Sequence, residues 1–137
     1  MKKALILVLA ALVIPTSVAV AAKPAHGPKT PPQVTYVLKG TLSNYTAYNA
    51  QTSTNGSITI LVSNANNHAK SLKGQTLTFP VDANTKISLD ASVTSIANGD
   101  SGLVKVRAAK KIAPADLAAT LQAQSARQIV DQGVPTP

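Results

Sequence analysis

The stretch Val34-Thr35-Tyr36-Val37-Leu38-Lys39-Gly40-Thr41-Leu42-Ser43 decides the fold. Val34, Tyr36, Leu38, Gly40 and Leu42 fall on one face, and Thr35, Val37, Lys39, Thr41 and Ser43 on the other. A second segment repeats the pattern, with Ile58, Ile60 and Val62 opposed to Ser57, Thr59 and Ser63. Successive side chains of a strand point to opposite faces, so this alternation in β-branched, Thr-rich sequence predicts two half-buried antiparallel strands. The residues between them, Asn44 to Gly56, are mostly Asn, Thr, Ser and Tyr, and predict a long hairpin loop.

Working towards the C-terminus, Ser63 to Gly74 is polar and turn-forming, with Leu72 as a plug that folds back. Leu77, Phe79 and Val81 then alternate with Thr76, Thr78 and Pro80. A proline has no N–H for a ladder, so this strand either lies at a sheet edge or ends at Pro80. Lys86 to Leu89 predicts a short strand with Ile87 and Leu89 inward. Between Asp90 and Asp100, the spacing of Val93 and Ile96 suits one helical turn over the end of a sheet. Asn98-Gly99-Asp100-Ser101-Gly102 is a strong turn signal leading into Leu103–Ala109, where Val104, Val106 and Ala108 alternate with Lys105 and Arg107. From Pro114 to Val130 the residues are helix formers without glycine, opened by a proline and Asp116. Leu117, Leu121 and Ile129 make a narrow apolar stripe, and Gly133 and Pro135 end the helix.

Towards the N-terminus, Met1-Lys2-Lys3 precedes an uncharged apolar run from Ala4 to Ile14, a break at Pro15, and small residues at Ala19–Ala22. That is the pattern of a secretory signal peptide. The run spans only about half of a ~30 Å hydrocarbon core, so no stable membrane span is expected in the mature chain. Lys23 to Gln33 holds four prolines and a glycine and predicts an extended tether. The expected organisation is a signal peptide over 1–22, a tether over 23–33, a β domain over 34–111, a helix over 112–131 and a tail over 132–137. The expected location is secreted, periplasmic or cell-envelope.

Five short strands, one core and one helix predict a mainly β fold, a small five-stranded antiparallel barrel, partly open, with a C-terminal α-helix. Gly40 is the expected point at which the long first strand bends. The strand segments also follow a familiar order. Lys39-Gly40-Thr41-Leu42 comes first, then the strand Gly56-Ser57-Ile58-Thr59-Ile60, then Gln75–Val81 leading to Asn84-Thr85-Lys86-Ile87. Last comes Asn98-Gly99-Asp100 ahead of Val104-Lys105-Val106-Arg107. Over about residues 34–109 this resembles the small OB-like β-barrel domains of exported bacterial proteins of unknown function. The resemblance implies a fold and an exported location, and it transfers no catalytic residue. Ser101-Gly102 after the Gly-Asp step departs from that pattern by lengthening the turn.

Composition narrows the function classes. Cysteine and glutamate are absent, and 13 Lys and Arg stand against five Asp. Removing Lys2 and Lys3 leaves 11 basic residues, a surplus of six. Such a surplus attracts polyanions and also keeps a Thr- and Asn-rich surface soluble. One domain histidine, His68, with no Cys or Glu, offers no metal cluster, and no cofactor is expected. His26 lies in the tether between Lys23 and Lys29 and is expected to be solvated. Asp82, Asp90 and Asp100 lie in predicted turns, where turn formation explains them. Neither a nucleophile–base pair nor paired carboxylates emerge, so a non-enzymatic, monomeric binding or envelope-associated module is the expected class. The ligand is not named by the sequence; an anionic polymer is the partner that its charge admits. The candidate polyanion-binding residues are Lys39, Lys105, Arg107, Lys110 and Lys111, with Tyr45 and Tyr48 as the aromatic faces that single-stranded nucleic acid needs.

Overall fold

The computed structural model describes Gly27 and residues 29–135. The expected signal peptide and five of the eleven tether residues, 23–26 and 28, lie outside the described residues. Six strands form one open sheet: β1 (Gln33–Thr46), β2 (Gly56–Ala65), β3 (Thr76–Val81), β4 (Lys86–Leu89), β5 (Ser101–Ala109) and β6 (Ala126–Asp131). Among the described residues one α-helix, α1 (Pro114–Gln122), stands between β5 and β6. The order across the sheet is β3-β2-β1-β5-β6-β4.

The alternation of β1 holds in the structure. Tyr36, Leu38 and Leu42 are buried, and Thr35, Lys39 and Thr41 are exposed. β1 pairs antiparallel with β5 from Gln33 to Thr41 and with β2 from Leu38 to Thr46. Gly40 lies where the two ladders overlap, and the β2 register slips there by one residue. A Cβ on Gly40 would stand 1.9 Å from the Leu61 carbonyl oxygen, so only glycine lets β2 come this close. The buried face carries Ile58, Ile60 and Val62 of β2, Leu77, Phe79 and Val81 of β3, and Val104 and Val106 of β5. Leu72 folds back from a 3-10 turn and is buried, as its position in the polar loop predicts. The buried hydroxyl of Tyr36 donates to the Ala109 carbonyl at 2.7 Å, which satisfies its polar end.

A barrel does not close. β3 and β6 approach one another, but no ladder joins them. The physical reason lies on the β3 edge. Pro80 has no N–H to offer, and the Thr78 N–H donates to Oε1 of Gln122 at the end of α1. The helix fills the gap that a further strand pair would have closed. It inserts Leu117 and Leu121 into the core, each worth about 1.5–3 kcal/mol of burial.

Three further expectations change. The helix expected over 112–131 ends at Gln122, and its second half is the sixth strand, β6, which pairs antiparallel with β5 and parallel with β4. The register slips between Lys105 and Val106, which pair with Gln128 and Ala126, leaving Arg127 as the extra residue. That bulge turns Ala126 and Ile129 to the same buried side, three apart, and so imitates a helical spacing. Secondly, Val93 and Ile96 lie in irregular chain flanked by turns and bends, with no helical turn; of the two, only Ile96 is buried. Thirdly, Ile87 and Leu89 share the face of the core by register with β6, yet remain 41% and 39% exposed, because β4 is the last strand of the sheet and none of the described elements covers it.

The register of β5 yields a direct test. Val106 is fully buried, whereas Lys105 faces solvent beside Gln128. Val106→Asp should unfold the protein, because an unpaired buried carboxylate costs several kcal/mol of the ~5–15 available. Lys105→Asp should melt within a few degrees of the natural chain. Thermal denaturation followed by circular dichroism checks both, and equal melting temperatures would contradict the register.

Candidate anion-binding face

Alternation along β5 that buries Val104 and Val106 turns Lys105 and Arg107 to solvent. The ladders then decide their neighbours. Arg107 pairs with Thr35 of β1, and Lys105 pairs with Val37 of β1 and Gln128 of β6. Gln128 in turn pairs with Lys86 of β4. The bulge at Arg127 adds its guanidinium to the same side. Lys86, Lys105, Arg107 and Arg127 thus line one shallow hollow of about 360 Å³ with Thr35, Asn84 and Gln128, and no carboxylate is among them. Lys105 Nζ donates to Gln128 Oε1 at 3.0 Å, and Gln128 Nε2 donates to Ser88 Oγ at 3.3 Å. This chain of amide contacts fixes Lys105 without neutralising it. Three strand spacings of about 4.8 Å give the face a width of roughly 14 Å.

The residues expected at the site separate into groups. Lys105 and Arg107 form its centre. Lys39 shares the solvent face but pairs with Leu103, about 7 Å further along β1, and does not line the hollow. Lys110 and Lys111 line a different hollow of about 340 Å³ with Pro31 and Pro32. Tyr45 and Tyr48 are half-buried at the β1–β2 hairpin end. Tyr45 packs against the core, and ten residues of β1 separate it from Thr35, roughly 30 Å along the strand. No aromatic side chain lines the cationic hollow. Lys86 and Arg127 escaped the sequence reading, because Lys86 opened an isolated short strand and Arg127 lay in a stretch with helical spacing.

Asp82 borders this face in the turn between β3 and β4. Its carboxyl titrates below the ordinary value, through a hydrogen bond from Ser125 first, then the Asn84 N–H and Thr85, with the charge of Arg127 adding to them. The Asn84 N–H lies 2.8 Å from Asp82 Oδ1. His68, the domain histidine, is exposed and meets the Tyr36 ring edge-on at 6.0 Å.

A larger hollow, about 600 Å³, lies between residues 92–97 and Gln132–Val134, with Asp100 in its wall. Behind it Asp131 is 1% exposed. Asp131 Oδ1 accepts from the Gly133 N–H at 2.8 Å, and Oδ2 has no partner among the described residues. Burial pushes this carboxyl above the usual range, and the neighbouring charges of Asp100 and Asp90 push in the same direction. Asp100 is itself buried, its Oδ2 accepting from the Ala97 N–H at 2.8 Å. Among the described residues no three acid, imidazole or thiol groups gather in a metal-holding cluster. No helix among the described residues is long and apolar enough to cross a membrane.

No family model matches the chain, and no curated protein or solved structure matches it either.

Asp131 predicts a pH dependence of stability. A carboxyl whose native pKa is raised contributes stability that is complete below its unfolded value of about 3.9. That contribution disappears as the pH rises through the native value. Asp131→Asn keeps an acceptor for the Gly133 N–H and removes the charge. It should raise the melting temperature at pH 7 by a few degrees and flatten its fall between pH 4 and 7. Differential scanning calorimetry measures this; a lower melting temperature at pH 7 would refute the disfavoured charge of Asp131.

Proposed function

We propose that this chain is an exported, non-enzymatic binding module whose β1–β5–β6–β4 face takes an anionic polymer. The observation that carries the reading is the hollow in which Lys86, Lys105, Arg107 and Arg127 meet without a carboxylate. Like charges brought together on neighbouring strands repel one another, and an anion relieves that repulsion. Arginine adds a planar fork that suits carboxylate or phosphate groups, and two arginines stand here side by side. Export is supported by the apolar run Ala4–Ile14 and the small residues at Ala19–Ala22. The likeness of strand order to small exported OB-like domains belongs to the same reading, carried now by an open sheet.

A polymer without bases fits better than single-stranded nucleic acid. Base stacking contributes about 1–3 kcal/mol per aromatic face, and Tyr45 and Tyr48 stand far from the cations.

Binding to a linear polyphosphate, measured by fluorescence anisotropy at several salt concentrations, tests the reading. Each released counterion contributes to the slope of log affinity against log salt, so Lys105→Glu with Arg107→Glu should reduce that slope by about 2. Tyr48→Ala should leave it unchanged. Absence of binding at low salt, or an unchanged slope in the double variant, would remove the proposal.

A further inference from the structure

The cationic hollow continues past Arg127. A second hollow of about 230 Å³ adjoins it, and Asn84, Arg107 and Arg127 line both. Its remaining wall has a different chemistry. Gln33 comes from β1, Gln124 and Ser125 from the turn after α1, and Asp82 from the turn after β3. These are amide, hydroxyl and carboxylate groups, which exchange hydrogen bonds with neutral hydroxyls. One end of the face therefore favours an anion, and the other carries a negative charge of its own. The Asn84 N–H donates to Asp82 Oδ1 at 2.8 Å and Thr85 Oγ1 donates to it at 3.3 Å, and both favour its charged form.

A uniformly charged chain lying through both hollows would bring one of its anions against Asp82. A ligand that alternates acidic and hydroxyl-bearing parts would not. Resting on the anion-binding reading above, we propose that the ligand is an acidic saccharide. Its acid group occupies the hollow of Lys86, Lys105, Arg107 and Arg127, and its neighbouring uncharged ring occupies the second hollow. There Asp82 accepts from a ring hydroxyl, Gln33 and Gln124 donate and accept, and the shared guanidinium groups donate at the junction. Asp82 thereby acts as the specificity-determining residue. It rewards a hydroxyl and repels a second anion.

Calorimetric titration of the full chain at low salt tests this with two probes of equal total charge. One is a hyaluronate oligosaccharide, with one carboxylate for every two rings, and the other is linear polyphosphate. Asp82→Asn retains the Oδ1 acceptor for the Asn84 N–H, so the turn persists; Gln124→Ala alters an exposed side chain only. Asp82→Asn should weaken the saccharide about fivefold, the difference between a charged and a neutral acceptor, and should tighten polyphosphate. Gln124→Ala should weaken the saccharide and leave polyphosphate unchanged. A change of the same direction for both probes in Asp82→Asn would overturn the inference. Polyphosphate binding without saccharide binding would also overturn it, while leaving the anion-binding face intact. Binding of neither would remove both.

Discussion

β1 carries two ladders at once, and where they overlap the backbone of β2 presses against Gly40 with no room for a side chain. This double pairing is the constraint on which the other strands depend. It sets β2 and β5 on opposite sides of one long strand, and β3 and β6 then extend the sheet outward. Without cysteine, no covalent bond reinforces the arrangement. Backbone pairing of β1 and apolar packing on its buried face must together hold the small domain.

The same alternation that builds the core builds the charged face. Each inward valine of β5 sets a cation outward, so Val104 and Val106 in the core imply Lys105 and Arg107 on the surface. The antiparallel ladder with β6 and the parallel ladder from β6 to β4 then add Arg127 and Lys86. Four positive charges converge as a consequence of register, and Gln128 holds one of them in place by a neutral hydrogen bond. Asp82 limits the cationic surface on one side and joins the polar hollow there. At the other end of β5 and β6, buried Asp131 shows the opposite electrostatics, an acid whose charge is disfavoured by burial first and by the neighbouring Asp100 after it.

Strands read from alternation were legible in the sequence: expected over 34–45, 57–63, 75–81 and 102–109, they run Gln33–Thr46, Gly56–Ala65, Thr76–Val81 and Ser101–Ala109. Of the two readings Pro80 left open, an edge strand or a strand end, β3 is an edge and ends one residue later, and Leu72 is the plug expected of it. What misled was irregularity. A single bulged residue, Arg127, converts the period of two into a spacing of three, and a strand preceded by a true helix then reads as its continuation. Ile87 and Leu89 have the alternation of a covered strand, but coverage depends on which element lies beyond, which local pattern does not encode. The site was half legible for the same reason. Lys105 and Arg107 follow from local alternation, whereas Arg127 joins them at the bulge of the antiparallel β5–β6 ladder and Lys86 through a parallel pairing between segments about 40 residues apart. Lys110, Lys111, Tyr45 and Tyr48 share no hollow with them, since closeness in sequence or composition does not make neighbours in a sheet.

The most direct measurement of the binding face is a map of backbone amide chemical shifts in the isotope-labelled protein during titration with a linear polyphosphate. Shifts should concentrate at Lys86, Lys105, Arg107, Arg127 and Gln128, and the hairpin residues Asn49 to Thr54 should stay still. Shifts centred on Lys110 and Lys111, or on the hairpin around Tyr48, would contradict the placement of the anion on the β1–β5–β6–β4 face.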